Sequence, residues 1–298
     1  MQVHKKEQIE NLRKSGVKVA VFFAGILPFV NFKINYRNHR NIVVIDGITG
    51  FLGGFNVGDE YVGLNKKIGY WRDTHVKIRG DAVIDLQKRF FLDWGHASHE
   101  DMLFLPKYFP DNMLNGNVGI QIITSGPDNS EEAIKSNYVK MINSAKKSIL
   151  IQTPYFVPDA SVFEAIKIAA ISGVDVKIMI PCKPDHPFVY WATFWYCGGL
   201  LQYGVKVYTY EFGFLHAKTL VVDGIVASVG TANFDMRSFK LNFECNSIIF
   251  DTKTSGILQD IFTEDLNYSV ELTRELYLER GIIIRFKESV SRLLAPLL

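Results

Sequence analysis

Two kinds of hydrophobic pattern alternate along the second half of the chain. The segments 148–156 and 174–181 predict two strands. Between them, apolar residues recur at helical spacing over 161–172, and Asp159 stands where a residue that caps a helix start is expected. A further helix, rich in aromatic residues, is predicted over 186–203. Strands that alternate with helices in this way predict an α/β fold.

Two shorter apolar runs, at 42–45 and 219–222, predict a pair of short buried strands. An aspartate and a glycine follow each run directly, and this dipeptide is a turn signal. The runs belong to a longer pattern that occurs twice, with a shift of 177 positions between the copies (216 less 39). Two copies of one unit suggest a pseudo-twofold protein with one site between them. The first copy comprises His39, Asn41, Asp46, Gly53, Gly54 and Asn56. The second copy comprises His216, Lys218, Asp223, Gly230, Thr231 and Asn233.

The residue types in this pattern suit chemistry at phosphorus. Residues two apart on a strand point the same way, so His216 and Lys218 reach one face. A neutral imidazole can act as a nucleophile, and an imidazolium can act as a general acid. Lysine and asparagine can donate hydrogen bonds to phosphate oxygens. Two imidazoles on opposite sides of one phosphorus would therefore permit an in-line, two-step displacement that requires no metal and no cofactor.

The sequences that flank both copies carry a resemblance to a known family. They include Tyr36-Arg37-Asn38, Gly53-Gly54-Phe55-Asn56, Tyr70-Trp71-Arg72-Asp73, Thr153-Pro154-Tyr155-Phe156, Phe214-Leu215-His216-Ala217-Lys218 and Gly230-Thr231-Ala232-Asn233. On these residues the chain resembles the phospholipase D superfamily and, within it, the bacterial cardiolipin synthases, over essentially its whole length. The resemblance implies two related phospholipase D-like α/β domains, with mixed sheets packed around a shared cleft. The polar segment 111–117 is the best boundary, which predicts domains at 1–116 and 117–298.

The resemblance also implies an activity. The family transfers a phosphatidyl group between two phosphatidylglycerol molecules, which gives cardiolipin and glycerol. His39 would attack phosphorus and His216 would protonate the departing glycerol, although the pseudo-symmetry leaves the reverse assignment open. One alternative is a hydrolase of the same superfamily, a phospholipase or a nuclease, with water as the acceptor. Another is a catalytically impaired, lipid-binding remnant.

Further residues take roles from their position. In the superfamily an acid orients the far ring nitrogen of each histidine; here Glu244 is expected to serve His216, and Asp73 is expected to serve His39. Asn56 and Asn233, with Asn41 at the lysine position of the motif, are expected to bind phosphate. Asp46 and Asp223 belong to the same catalytic motif, although their places predict that they tie down strand ends.

Two features depart from the family. Asn41 stands where similar family members carry lysine, and an amide cannot replace an ammonium beside a phosphate oxygen. Upstream of Gly16 there is one polar helix, near 7–15, whereas the strands and helices over 148–203 precede Gly204. We therefore expect a first domain that lacks two strands with their helices, as in an N-terminally truncated protein. Both features predict little or no transferase activity.

Composition and charge indicate which kinds of partner to expect. A chain of 298 residues with 48% hydrophobic residues can form two domains with sizeable cores. A formal net charge of +2 gives no indication of a nucleic-acid partner. No apolar run reaches the length of a membrane span, the best being 17–32. The resemblance nevertheless implies a cell-membrane location for the full-length form. The aromatic stretch 188–196 and the apolar loop 26–32 are the candidates for contact with a membrane surface.

Overall fold

The computed structural model describes residues 2–22, 36–66, 68–100, 105–111 and 116–295, with backbone only for 2–6. The helices are α1 (Gln2–Lys14), α2 (Ala82–Ser98), α3 (Ala133–Ser144), α4 (Ala160–Ile171), α5 (Pro187–Leu201), α6 (Met236–Lys240), α7 (Thr252–Leu266), α8 (Arg274–Glu279) and α9 (Ile282–Leu294), with a 3-10 turn at Pro106–Tyr108. The strands are β1 (Arg37–Asn38), β2 (Ile42–Ile45), β3 (Thr49–Gly53), β4 (Trp71–Arg72), β5 (His75–Arg79), β6 (Gly119–Ser125), β7 (Ser148–Gln152), β8 (Phe156–Val157), β9 (Asp175–Pro181), β10 (Lys206–Tyr210), β11 (Phe214–Leu215), β12 (Thr219–Val222), β13 (Val226–Gly230), β14 (Phe234–Asp235), β15 (Asn242–Phe250) and β16 (Ser269–Glu271).

A nine-stranded mixed sheet forms the centre of the second half. Its strand order is β1-β15-β13-β12-β7-β9-β10-β16, and β6 also pairs with β15. Alternate residues of β7 point to opposite faces, so Ile149 and Ile151 pack with α3 and α4 while Leu150 packs with α7. Because both faces are covered, the central strands are apolar throughout. Asp159 caps α4 as the sequence predicts, since its side chain accepts hydrogen bonds from the backbone N–H groups of Ser161 and Val162.

The first half carries a smaller antiparallel sheet of β2, β3 and β5. Its buried face packs on α2 through Leu52, Ile78, Val83 and Leu86. The outer strand β2 exposes alternate residues, so the prediction of a buried strand at 42–45 is wrong. The reason is that Ile42 and Val44 pack in the cluster with α2, whereas Val43 and Ile45, on the opposite face, are left about half exposed by the described elements. Residues 17–21 form no strand, and most of the apolar run 17–32, including the loop 26–32, lies outside the described residues.

The same hairpin turn ends both short motif strands. Asp46 and Gly47 have φ of 55° and 69°, and Asp223 and Gly224 have φ of 55° and 66°. Positive φ at both central residues is the requirement of the two-residue hairpin turn that Asp-Gly favours. A backbone hydrogen bond closes each turn, from Ile48 to Ile45 in the first and from Ile225 to Val222 in the second. The turns predicted from the sequence are confirmed.

The predicted boundary falls between α2 and β6, although 112–115 lie outside the described residues. Strand β6 begins at Gly119 and joins the large sheet, in accord with a second unit that starts near there. Strand β1 of the first half nevertheless pairs with β15 of the second. The halves therefore share backbone hydrogen bonds, and the division at 116–117 stays a prediction.

Candidate active site

The motif residues of both copies meet at one cavity of about 770 Å³. Its walls come from β1 and the following residues of the first half, and from the segments after β11 and β13 of the second half. The motif residues that line it are His39, Asn41, Asn56, His216, Lys218, Thr231 and Asn233. A cavity of this size, with convergent polar groups, is a candidate site for a small ligand or for the headgroup of a larger one.

Two parallel strand pairs position the histidines. Strand β1 runs beside β15, and the N–H of His39 donates to the carbonyl of Phe243 at 2.9 Å. Strand β11 runs beside β4 in the same manner, and the N–H of His216 donates to the carbonyl of Arg72 at 2.7 Å. Each histidine of one half therefore follows a strand that pairs with the other half.

This pairing decides which acid meets which histidine. Nδ1 of His39 lies 3.1 Å from Oε1 of Glu244, and Nδ1 of His216 lies 2.7 Å from Oδ2 of Asp73. The prediction that each acid serves the histidine of its own half is wrong. Asp73 directly follows β4 and Glu244 lies near the start of β15, and these are the strands that pair in parallel with the histidine strands, so each contact crosses between the halves.

Buried donors surround the Glu244 carboxylate. Glu244 is fully buried, and the hydroxyl of Thr231 donates to its Oε2 at 2.5 Å. The side-chain amide of Asn242 lies 3.2 Å from Oε1 and 3.1 Å from Nδ1 of His39. Sequence reasoning missed Asn242, although it precedes Glu244 by two residues on one strand, a spacing that puts both side chains on one face. These contacts hold the ring of His39 in one orientation.

The Asp73 carboxylate is held in a similar manner. The N–H of Thr74 donates to Oδ1 at 2.8 Å, and the indole N–H of Trp71 donates to Oδ2 at 3.3 Å. Burial alone would raise the pKa of Asp73. The hydrogen bond with His216, the charge of Lys218 and smaller contributions together lower it by more than burial raises it, so the pKa lies below its usual value. Asp73 is therefore ionised at neutral pH and can accept the Nδ1 proton of His216.

Burial also sets the charge of the second motif. It lowers the pKa of His216 to about 4; the nearby Lys218 adds to this effect, and Asp73 opposes it. Burial lowers the pKa of Lys218 to about 8 against the opposing charges of Asp73 and Glu244. The ammonium of Lys218 donates to the carbonyl of His216 at 2.6 Å. At neutral pH His216 is therefore neutral and lies beside a predominantly charged Lys218.

Asn41 gives the first motif a different character. It lines the cavity without a charge where the second copy has Lys218. Two arginines line the same cavity, Arg37 and Arg237, and the pKa of Arg237 is lowered by burial and then by the neighbouring Arg37. Lys218 is thus one of several cations on the cavity wall. The spacing of the motif did not predict that Arg37 would line this cavity.

The asparagines that end each motif make protein contacts as well. The amide of Asn56 donates to the hydroxyl of Tyr61 at 2.8 Å, and that of Asn233 donates to Asp235 at 3.1 Å. The buried Oδ1 of Asn233 has no hydrogen-bond partner among the described residues. Each amide carries two N–H groups, so one remains for a phosphate oxygen.

The motif aspartates serve the turns. The carboxylate of Asp223 accepts hydrogen bonds from the backbone N–H groups of Lys146, Lys147 and Ser148, at 2.7–2.8 Å. Neither Asp46 nor Asp223 lines the cavity, which corrects their place among the catalytic residues. Asp223 ties its hairpin to the start of β7, as expected from its place at a strand end. The structure gives Asp46 no equivalent contact within its described part.

The described residues contain no group of three or more His, Cys, Asp or Glu residues arranged to hold a metal ion. None of their helices is both long enough and apolar enough to cross a bilayer.

Comparisons with known proteins agree with this geometry. Residues 138–266 match the family described as "Cardiolipin synthase, PLD-like domain". The chain is 58% identical over 295 residues to "Major cardiolipin synthase ClsA" of Bacillus subtilis, and 57% identical over 294 residues to "Cardiolipin synthase" of Oceanobacillus iheyensis. Each match covers 99% of this chain and 61% of the relative, so the chain spans about three fifths of their length.

A solved structure shows the fold. The crystal structure of phosphatidylserine synthase from Haemophilus influenzae matches with a TM-score of 0.67 at 17% identity, over 97% of this chain and 74% of that one. Its similarity confirms the predicted mixed α/β architecture of the phospholipase D type. The matched domain and the curated relatives make the chain similar to cardiolipin synthases with the phospholipase D-like domain over 99% of its own length, and the solved structure adds the fold alone.

Proposed function

We propose that the protein transfers a phosphatidyl group from one phosphatidylglycerol to another, with release of glycerol and formation of cardiolipin. The observation that carries the proposal is the pair of imidazoles at one cavity, each with Nδ1 against a carboxylate. A carboxylate on Nδ1 fixes the tautomer that leaves the lone pair of Nε2 available. The names of the relatives support the same reaction.

In the first step, Nε2 of His39 attacks phosphorus, the bond from phosphorus to the glycerol oxygen breaks, and the imidazolium of His216 protonates that oxygen. In the second step, a hydroxyl of another phosphatidylglycerol gives its proton to His216 and attacks phosphorus, which frees His39. Atoms and charges balance, and the phosphohistidine conserves the energy of the phosphodiester. Asn56, Asn233 and Lys218 would donate to the phosphate oxygens.

The low pKa of His216 bears differently on the two assignments of the histidines. As the acid, His216 must be protonated before glycerol leaves, so the bound phosphodiester anion has to raise its pKa from about 4. As the nucleophile, His216 must be neutral, which its low pKa already provides at pH 7. The reverse assignment, with His216 as the nucleophile, therefore requires no change in the pKa of His216. Experiment decides which histidine is the nucleophile.

The location and the lipid partner are part of the same proposal. A phosphatidylglycerol substrate resides in a bilayer, so a membrane surface is the expected partner and the cell membrane the expected location. The formal net charge of the whole sequence is only +2, which gives no reason to propose a nucleic-acid partner. A catalytically impaired, lipid-binding role is favoured by one specific observation, the uncharged Asn41 on the cavity wall.

Product analysis tests the proposal. The chain is incubated with phosphatidylglycerol in mixed detergent micelles, and cardiolipin, phosphatidic acid and glycerol are quantified, with single-stranded DNA as a separate substrate. Cardiolipin that disappears in the His39→Ala and His216→Ala variants supports transfer. Phosphatidic acid without cardiolipin would indicate hydrolysis, and DNA cleavage would indicate a nuclease. Binding without turnover, even after Asn41→Lys, would leave the lipid-binding role.

A further inference from the structure

Helix α9 turns its apolar side away from the protein. Ile282 is 82% exposed, Phe286 is 69% exposed and Leu293 is 76% exposed, and Ile283 is exposed as well. The side that faces the protein carries the buried residues Glu288, Ser291 and Ala295. A surface helix normally has the opposite arrangement. Helix α9 is therefore amphipathic, with its apolar stripe on the outer side.

A buried ion pair fixes this orientation. The carboxylate of Glu288, which is 1% exposed, lies 2.9 and 3.1 Å from Nε of Arg280 and 3.4 Å from the hydroxyl of Tyr277. Rotating α9 to bury Phe286 would carry Glu288 away from Arg280 and leave a buried charge without its partner. Such a loss is strongly unfavourable, so the outward stripe is a built feature of the fold.

Basic side chains border the exposed stripe on both sides. At 3.6 residues per turn, Arg285 and Arg292 lie along one edge of the stripe and Lys287 lies along the other. The guanidinium of Arg292 stands 4.3 Å from the ring centre of Trp195, and the ammonium of Lys287 stands 5.2 Å from that of Trp191. The single acid of α9, Glu288, faces inward. An apolar stripe flanked by cations matches the layered chemistry of an anionic bilayer surface.

The end of α9 reaches the catalytic cavity. Ala295, directly after α9, lines that cavity together with Phe188 and Val189 from the start of α5. Phe188 is 53% exposed, so it adds an exposed apolar side chain at the cavity wall. The other aromatic residues of the stretch 188–196 are half-buried or less exposed, because α5 packs against α9. Of the two expected membrane contacts, this stretch thus contributes chiefly through Phe188.

We propose that the exposed face of α9 docks into the headgroup layer of an anionic phospholipid bilayer and sets the cavity mouth against the lipids. The docking itself stands on the helix alone; its use in delivering a lipid headgroup to the cavity rests on the proposed function. A second copy of the chain is the competing occupant. It would have to accommodate the cations along both edges, whereas anionic headgroups neutralise them.

Vesicle flotation tests the docking surface with the full chain. The protein is mixed with vesicles of phosphatidylcholine and phosphatidylglycerol, or of phosphatidylcholine alone. The variant Ile283→Gln/Phe286→Gln/Leu293→Gln should partition at least about a hundredfold more weakly, because each large apolar side chain contributes roughly tenfold. The matched control, Ile168→Gln/Ile171→Gln on the exposed side of α4, should bind like the parent. Thermal unfolding of all variants checks that they fold.

Charge gives a second, milder test. The variant Lys287→Gln/Arg292→Gln should lose roughly tenfold in binding to the anionic vesicles and little on phosphatidylcholine alone. Equal flotation of the parent and the α9 variants, or no flotation of the parent, would overturn the proposal. Light scattering that showed a parent dimer broken by the α9 changes, with unchanged flotation, would overturn it in favour of a second copy.

The outcome is separable from that of the proposed function. His39→Ala should abolish turnover in micelles and leave flotation intact. The α9 variants should retain turnover in micelles, where no bilayer has to be reached. Flotation that depends on α9 without any turnover, even after Asn41→Lys, would uphold the docking surface and reject the transferase; turnover without such flotation would do the reverse.

Discussion

Strand β12 of the second motif lies between two neighbours, β7 and β13, whereas β2 of the first motif pairs only with β3 among the described residues. The consequence is visible in burial: all four residues of β12 are buried, but Val43 and Ile45 of β2 are 52% and 50% exposed. Nearly equal sequences thus take the same hairpin in different surroundings. What a motif residue does depends on the neighbour that its strand finds.

The charged residues show the same contrast. Asp223 ties its turn to three backbone N–H groups at the start of β7, and the equivalent contact of Asp46 is absent from the described part of the chain. The second motif has a buried lysine, and the first has Asn41. Each histidine nevertheless takes its carboxylate from the opposite half. The pairing of histidine with carboxylate is therefore more symmetric than the scaffold that carries it.

Replacing each orienting acid by its amide should have the largest effect. Asp73→Asn should lower the rate by about 10²–10⁴-fold, the usual contribution of a positioned proton-transfer group, since His216 loses the acceptor for its Nδ1–H. The imidazole NMR signals of His216 should shift while those of His39 stay in place, and Glu244→Gln should give the mirror result. A shift at His39 in the Asp73→Asn variant would contradict pairing across the halves.

Restoring the first motif comes next in size. Asn41→Lys should raise the rate of cardiolipin formation by roughly 10²–10³-fold, because one preorganised donor to a developing charge contributes about 2.7–4 kcal/mol. Asn41→Gln is the matched control, which adds length without charge. Initial rates in mixed micelles measure the effect. Equal rates for the lysine and glutamine variants would show that the uncharged residue is no defect.

His216 also gives a pH dependence of stability. Its folded-state pKa of about 4 lies below the ordinary value of about 6.5, so the unfolded chain binds the proton more tightly. The free energy of unfolding should therefore fall as pH drops from about 6.5 to about 4, by at most ~3 kcal/mol from this residue. Urea unfolding of the parent and of His216→Gln measures the difference; parallel pH profiles would contradict the shift.

The turn aspartates give the smallest effect. Asp223→Asn replaces one accepting oxygen by an amide that faces backbone N–H groups, which should destabilise the fold by about 1–2 kcal/mol. Asp46→Asn should change the free energy of unfolding by less than ~0.5 kcal/mol. Asparagine tolerates the positive φ at both positions, so the comparison isolates the hydrogen bonds. Denaturant midpoints that moved equally would remove the contrast between the two turns.

Local sequence predicts the local features well. The Asp-Gly turns, the capped helix α4 and the repeated motif all follow from residues within a few positions of one another. The crossed carboxylates do not, because Glu244 and His39 are 205 residues apart and meet only through the parallel pairing of β1 with β15. Spacing within a repeat therefore identifies the orienting acids but assigns them to the wrong histidines.

Helix α9 shows a second limit of sequence patterns. Its apolar stripe predicts a helix correctly, and the usual rule would bury that stripe. The orientation is decided instead by Glu288, which pairs with Arg280 eight residues earlier. A carboxylate on the polar side of an amphipathic helix gives no local sign that it will be buried. Only the partner, with its contact to Tyr277, shows which side faces the protein.

The most direct test of the account traps the covalent intermediate. The Asn41→Lys protein is mixed with phosphatidylglycerol labelled at phosphorus and quenched rapidly. The account predicts a labelled protein that is labile to acid and stable to base, as expected of phosphohistidine. Label retained in His216→Ala and lost in His39→Ala would make His39 the nucleophile, and the opposite pattern would exchange the roles. Cardiolipin formation with no label on either histidine, in any variant, would contradict the two-histidine mechanism.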